Sequence, residues 1–374
     1  MSSLPIYNMA HCVSTTGFIA TVILNSTLIY LTLFHIKSFE KTYKILIVAF
    51  ASICLIFSFI EMLLHPFFHS YNGGLINFNM VQWPGFTKEA ITIMVASYSG
   101  VYVAIVSFFT VMMVFRYWTM MNSSMLNVFT SWRVIFLIMW SLIFGVACCF
   151  IVIYFGGIDE YSIEYLRDAM MENYNIDMEN ASGYVVVAYN PSTDNTTTTG
   201  DLRWHSFFFS FGIQSLMVVV KLSKYYQLSV SQGVQFMIVG YCGVIMHLKM
   251  HHMLINVSDT QKRLQKQFFK SLVLQITSPT LTFYIPAVLI LTVPFLNLTF
   301  SMPTGLIVCS FSIYPSIDSI ILMSVVSDYR KALKNMITHP FIFFCQGPKH
   351  NTETTTSLFV ILPHPRNNNQ CADF

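Results

Sequence analysis

Charge is what this chain has least of: 10% of its 374 residues are Asp, Glu, Lys or Arg, and 55% are hydrophobic. A soluble domain carries about a quarter charged residues, so an ordinary soluble fold is excluded and an integral membrane protein is indicated. Cysteine is missing where a disulfide framework would need it. Cys54, Cys148, Cys149, Cys242 and Cys309 lie inside apolar runs, and none of the eight falls between Pro66 and Ala90 or between Gly156 and Trp204. The large outer loop therefore has no bridge of its own. No CxxC pair or His/Cys cluster stands at metal spacing, and His251-His252 is a lone pair beside a loop. There is no nucleophile with a base and no glycine-rich phosphate loop, so neither an enzyme nor a cofactor is expected. Nucleic acid finds no basic footprint. The opening residues lack Lys and Arg, so the basic start of a signal peptide is absent and the first apolar run is read as a retained span.

Long apolar runs are what the chain has in abundance. Six are clear, at 11–34, 45–65, 91–115, 134–155, 268–295 and 303–326, each long enough to cross a bilayer. Between Trp204 and Leu248 two shorter pieces, 205–220 and 233–248, flank the polar KLSKYYQLSVSQ. One span over 225–248 would reach about 36 Å, with Lys221 and Lys224 snorkelling outward; 205–220 is then an interfacial or partly inserted helix. Two spans there would make eight. Basic residues arbitrate between the two. With the start outside and seven spans, the inner segments hold three Lys and Arg in 35–44, two in 116–133, five in 249–270 and five in 327–374, 15 of the 20. An eighth span would move the last ten of these outside, against the inward bias of basic residues. The expected fold is an all-α integral membrane protein. Its seven-transmembrane helix bundle, with a short surface helix at 328–338, occupies residues 1–338, and a disordered cytoplasmic tail follows at 339–374. Cys345 in that tail is a candidate for palmitoylation.

The outer loop from Gly156 to Trp204 carries nine acidic residues against Arg167 and Arg203. It reads as a solvated acidic cap, with capture of a cationic ligand as the alternative. Acceptor sequons at Asn180, Asn195 and Asn297 fall outside and are candidate glycosylation sites, whereas those at Asn25, Asn122 and Asn256 fall in the membrane or inside. Within the last span, Pro315 cannot donate to the carbonyl of Phe311, which predicts a kink. Asp318 lies about 22 Å along that span from Pro303, a costly intramembrane acid. It is either part of a switch or an inward Asp that hydrogen-bonds a neighbouring helix. Asn25, about 21 Å along the first span from His11, is the candidate partner, so Asn25, Pro315 and Asp318 form the candidate switch.

Four blocks carry a resemblance: HCVSTTGFIATVILNSTLIYLTLF with HIKSFEKTYKILIVAF, SYSGVYVAIVSFFTVMMVFRYW, LQKQFFKSLVLQITSPTLTFYIP and IYPSIDSIILMSVVSDYRKAL. In this order they resemble the nematode Str-class seven-transmembrane chemoreceptors over most of the membrane core. The resemblance implies an olfactory-type receptor coupled to heterotrimeric G proteins in sensory cilia, in the plasma membrane with its N-terminus outside and C-terminus cytoplasmic. Ser319 stands where the family has Pro after the seventh-span Asp. Residues 218–232 have no counterpart, being either a true insertion or intron sequence; in the latter case the fifth span joins 205–214 to 236–248. Compared with rhodopsin-like receptors, Arg116 lacks a preceding acid, and the disulfide from the third span to the outer loop is absent.

A receptor needs an outward pocket, a bundle that rearranges and an inner surface read by a partner. Tyr98 and Tyr102 share one face of the third span and offer aromatic surface with hydroxyls to a small-molecule ligand, or else pack the core. Glu61, about 24 Å along the second span from Ile45, meets a polar ligand or touches water. Tyr284 in the outer third of the sixth span completes the ligand candidates, between the breaks at Pro279 and Pro286. On the inner side Arg116 ends the third span, with Tyr117 beside it in the block that the resemblance matches. Lys262, Lys266 and Lys270 form an i,i+4 stripe with Arg263 alongside, suited to a G protein or anionic membrane lipid. A ligand-gated channel or small-molecule transporter is the rival class, although no internal repeat of the kind transporters show is apparent.

Overall fold

The computed structural model describes residues 4–36, 39, 41–79, 84–120, 132–190, 201–216, 270–271, 273–275, 277–296, 298 and 301–338. The apolar runs become helices because backbone polar groups in lipid must be satisfied within the segment. They are α1 (Leu4–Phe34), α2 (Lys41–Leu64), α3 (Lys88–Met120) and α4 (Trp132–Phe155). Among the described residues five helices are long and apolar enough to cross a membrane, the fifth being α7 (Val273–Leu296). A sixth follows if the helices α8 (Gly305–Val325) and α9 (Ser327–Thr338), bent 96° at Val326, count as one span. The expected fifth span at 225–248 and the tail at 339–374 lie outside the described residues. The membrane face is visible on α4, where Ile135, Phe136, Met139, Ile143, Val146, Phe150 and Tyr154 are all exposed along one side. A stripe of that kind is stable only against lipid.

The bundle is not purely helical. A four-stranded antiparallel sheet closes one end, in the order β3-β2-β1-β4, with β1 at Phe67–Tyr71, β2 at Gly74–Asn79, β3 at Ser182–Val187 and β4 at Ser301–Met302. β1 and β2 turn through Asn72-Gly73, with Asn72 at φ +48°, a left-handed conformation that Asn tolerates better than most residues. β3 pairs with β2 so closely that Gly183, at φ +148°, is required: a Cβ there would stand 1.9 Å from the Asn77 carbonyl oxygen.

The described part of the outer loop that reads as a solvated cap, residues 156–190 and 201–204, is therefore folded. Before β3 it forms α5 (Glu160–Tyr174), capped by Asp159, whose carboxylate accepts from the Ser162 amide at 3.0 Å. Arg203 pairs with Asp159 and lies 5.0 Å over the Tyr161 ring. Leu166, Met170 and Tyr174 bury against Ile76, Phe78, Val185 and Val187 in a small core of their own, which Tyr7 of α1 joins.

His69 of β1 is fully buried between the cap and the sheet. Its Nδ1 lies 2.9 Å from the Tyr174 hydroxyl and its Nε2 3.2 Å from that of Ser301. Burial pushes its pKa down to about 4, whereas an unfolded His titrates near 6.5. The unfolded chain takes up a proton in that window that the folded one refuses. The stabilisation is thus complete above about pH 6.5 and lost as pH falls toward 4. At about 1.4 kcal/mol per pKa unit, the loss by pH 5 is on the order of 2 kcal/mol. Melting the purified protein at pH 7 and pH 5 checks this, and His69→Gln should remove much of the difference. An unchanged difference would refute it.

Of the segment 205–220, expected as an interfacial or partly inserted helix, residues 205–216 are described. α6 (Trp204–Leu216) runs antiparallel alongside α4, because its contacts step from Phe155, met by His205 and Phe208, to Ile151, met at Gly212. It is a bundle element whose Phe209 and Ile213 are buried.

Candidate functional site

Three prolines, Pro279, Pro286 and Pro294, fall within α7. Pro286 has no N–H to give the Thr282 carbonyl, and Ser310 of α8 supplies a hydroxyl there instead, at 2.8 Å. Residues Thr280–Tyr284 open into a π-turn, in which the Ile285 amide reaches back to Thr280. The Phe283 carbonyl within it accepts from the Tyr102 hydroxyl at 2.9 Å. Bulges of this kind recur at functional sites.

Above this break a cavity of about 60 Å³ opens between α3, α6, α7, α8 and the sheet, small beside the several hundred Å³ of ordinary ligand pockets. Tyr98, Tyr102 and Val103 come to it from α3, Ala287 from α7 and Phe311 from α8. Tyr102 stacks on Phe283 with centroids 5.0 Å apart and packs on Phe311 at the same distance, so the floor is aromatic. The roof comes from the sheet, where Phe68 of β1 and Tyr184 of β3 meet edge to face. Three of the hydroxyls present are not equivalent. Tyr102 is engaged with Phe283, Tyr184 accepts from Ser99 at 3.4 Å, and Tyr98 is buried with no hydrogen-bond partner.

The other two ligand candidates lie elsewhere. Tyr284 does not line this cavity; it is buried with its hydroxyl against Thr110, two turns farther along α3 than Tyr102. The reason is direction, since helical side chains lean toward the N-terminus of their helix, here the end of α7 away from the sheet. Glu61 is 6% exposed rather than at a water boundary, and it lines a second cavity between α1, α2 and α8.

The expected Asn25–Asp318 hydrogen bond is not formed. Asn25 donates to the carbonyls of Thr21 at 3.2 Å and Pro315 at 3.3 Å, and accepts from Ser319 at 3.0 Å. Asp318, buried on α8, accepts from Gln275 of α7 at 3.1 Å, and Gln275 is held in turn by Ser271 at 3.3 Å. One residue of helix separates Asp318 from Ser319 and turns them to different neighbours. α1 and α8 approach so closely that a Cβ on Gly17 would stand 2.8 Å from the Ser312 carbonyl oxygen, with the Thr21 and Ser316 hydroxyls 2.9 Å apart nearby. Pro315 lies inside an unbroken helix.

The profile of the serpentine type 7TM GPCR chemoreceptor Str family matches residues 10–334. The chain belongs to this family. It is similar to the G-protein coupled receptor str-33 of Caenorhabditis elegans, 34% identical over 332 residues that cover 88% of this chain and 91% of that protein. It is also similar to the serpentine receptor class r-10 of C. elegans, 26% identical over 321 residues, 84% of this chain and 85% of the relative. Among solved structures squid rhodopsin shares the fold, at a TM-score of 0.50 and 12% identity, over 98% of this chain and 90% of that one.

This Str receptor is thus a chemosensory receptor of the G-protein-coupled class. Ser319 supplies the hydroxyl that Asn25 accepts. At the end of the bundle opposite the sheet, Arg116 and Tyr117 close α3, their side chains outside the described residues, as are Lys262, Arg263 and Lys266. Lys270 is exposed. α9 is fixed to the bundle by Tyr329, whose hydroxyl lies 2.6 Å from that of Thr32 and whose ring packs on Phe39. Asn180 ends a 3-10 turn, Met178–Asn180, on the cap, while Asn195 and Asn297 lie outside the described residues. Among the described residues no three His, Cys, Asp or Glu side chains converge as metal ligands would.

Sequence reasoning missed Phe68, Tyr184 and Phe311. The signal for the first was present in FFHSY-NG-GLINFN, two alternating runs about an Asn-Gly turn, the strongest short-range mark of a hairpin.

Proposed function

We propose that the receptor takes a small, mainly apolar molecule with one hydrogen-bond acceptor, such as a carbonyl, into the cavity under the sheet. The observation that carries this is the Tyr98 hydroxyl, buried and unpartnered beside a mainly apolar cavity whose other tyrosine hydroxyls are engaged. A buried donor left unmade costs about 1–3 kcal/mol, and a ligand acceptor recovers it. Binding there touches α3, α7 and α8 at once, and the π-turn and Pro286 give α7 a place to bend. Tyr284, beside that bend, responds to the ligand through α7 rather than by touching it.

In this reading the sheet end is extracellular and the α9 end cytoplasmic, because that arrangement keeps 15 of the 20 basic residues inside. The receptor then resides in the plasma membrane of sensory endings, with sugars on Asn180, Asn195 and Asn297. Epitope tags at both ends test the orientation: only the N-terminal tag should be detected on unpermeabilised cells, and detection of the C-terminal one would overturn it.

The cytoplasmic end couples to a heterotrimeric G protein through Arg116, Tyr117, Lys262, Arg263, Lys266 and Lys270. Arg116→Ala, or charge reversal of the three lysines, should lower the ligand-evoked response while surface abundance and ligand binding stay near wild type. Parallel loss of surface abundance would assign these residues to topology instead. A current that persists under G-protein blockade would favour a channel.

A further inference from the structure

The buried ring of His69 ties together β1, α5 and β4, the strand between α7 and α8. Successive residues of a strand point to opposite faces, so His69 lies on the side of the sheet that α5 covers, while its neighbour Phe68 lines the ligand cavity on the other. A neutral imidazole has one donor and one acceptor, and the Tyr174 and Ser301 hydroxyls can serve as either, so both tautomers are satisfied. An imidazolium has two donors and a charge. The titratable groups on this side of the sheet are Tyr174 of α5, edge-on with ring centroids 5.3 Å apart, and, around Phe67, Tyr7 and His11 of α1, Glu61 of α2 and His65 after it. Among the described residues no carboxylate forms an ion pair with His69. Across the sheet it stands in register with Ile76 and Val185, and Glu160, Glu164, Asp168 and Glu172 lie on the exposed side of α5. A proton on this ring is therefore a buried charge without a partner.

We propose that His69 is a proton-binding site whose occupation releases α5 from the sheet, which gives the receptor external acid as a second chemical input. Ser301 is exposed, so water stands one side chain away from Nε2. Lifting α5 brings the ring to that water, where both N–H groups and the charge are solvated. The helix is built to leave as a unit. It carries its own caps, Asp159 at the start and Asn175 in the left-handed conformation at the end. It rests on the sheet through Leu166, Met170 and Tyr174, and the Tyr165 hydroxyl accepts from the Gly73 amide at 3.3 Å. In the closed cap the ring titrates at about 4, and open to water near 6.5. The open state therefore binds the proton more tightly, and its ratio to the closed state rises roughly 20-fold between pH 7 and pH 5. The same sheet roofs the ligand cavity through Phe68 and Tyr184. Release of α5 thus reaches the ligand site if the function proposed above holds, whereas the release itself is independent of that function.

Hydrogen–deuterium exchange on the purified full-length receptor tests this at pH 7 and pH 5, with each amide's rate compared with its free-peptide rate at the same pH. Protection of 160–174 should fall roughly 20-fold at pH 5, while α3 and α4 keep theirs. His69→Gln, which retains a donor and an acceptor but takes no proton, should hold α5 at its pH 7 protection. Ser301→Asp should do the same, because a carboxylate beside Nε2 pairs the charge inside the closed cap; it decides the question if His69→Gln does not fold. Equal protection of α5 at both pH values, a loss that persists in either variant, or an equal loss in α3 and α4, which is unfolding of the whole bundle, would overturn the latch. No ligand is present in this experiment, so a failed latch leaves the ligand cavity standing, and a failed ligand cavity leaves the latch standing.

Discussion

Val103→Phe should silence the receptor to its small-molecule agonist while leaving it on the cell surface. Val103 is 2% exposed and lines the cavity of about 60 Å³, so the added ring fills the space a ligand would take. An agonist excluded by it loses apolar burial worth about 1–3 kcal/mol for each methylene-sized misfit, a loss of roughly 10–200-fold in potency, and more when the space is filled entirely. Tyr98→Phe is the finer companion. Its hydroxyl is buried with no hydrogen-bond partner, so removing it should leave thermal stability unchanged or slightly raised. Potency of an acceptor-bearing agonist should nevertheless fall about tenfold or more, and that of its hydrocarbon analogue should hold. Concentration–response curves and surface labelling on the same cells separate binding from folding. Unchanged potency in both variants would rule the cavity out.

The contrast between Tyr98 and Glu61 shows which parts of such a site are legible in a sequence. Tyr98 and Tyr102 are four residues apart, and that spacing alone puts them on one helical face. Phe68 follows from the local β1–β2 hairpin, whereas Tyr184 joins them only because β3 pairs with β2 across more than a hundred residues, a register that no local pattern states. Its distance along α2 puts Glu61 toward the sheet end of that helix, where the structure buries it. Its hydroxyl partners, 47 and 251 residues away, follow from how α1 and α8 pack.

The same limit explains Asn25. Counting 1.5 Å per residue fixes depth, and Asn25 indeed meets α8 at Pro315 and Ser319, one residue from Asp318. Each residue turns the helix by about 100°, however, so depth without direction cannot choose between Ser319 and Asp318. The acidic loop went unread for a related reason. Glu160, Glu164, Asp168 and Glu172 repeat every four residues on the exposed side of α5, while Leu166, Met170 and Tyr174 fill the buried side. Four of the nine charges that mark the loop as solvated are the outer face of an amphipathic helix.

Asp318→Asn should reach the cell surface normally and signal at an altered basal level. α8 is tied on two sides. Toward α1, Gly17, Thr21 and Asn25 hold it through close backbone approach and hydrogen bonds with Ser316, Pro315 and Ser319. Toward α7, the Gln275–Asp318 bond spans the gap on the far side of the π-turn from the ligand cavity. If α7 bends at Thr280–Tyr284, the segment beyond the turn moves relative to α8, and the Gln275–Asp318 bond is stretched while the α1 contacts are not. A hydrogen bond to a charged group is worth about 1.5–3 kcal/mol, enough to change the ratio of resting to active receptor by roughly tenfold or more once weakened. Asn keeps the size and an accepting oxygen but not the charge, so it weakens the bond without opening a hole. Gln275→Leu removes the donor from the other side and should move basal signal per surface receptor in the same direction. A purely structural Asp318 predicts something else: both variants lower surface abundance, and signal falls only in proportion. Basal signal divided by surface receptor, measured in the same cells, distinguishes the two, and a constant ratio would end the case for Asp318 as part of the switch.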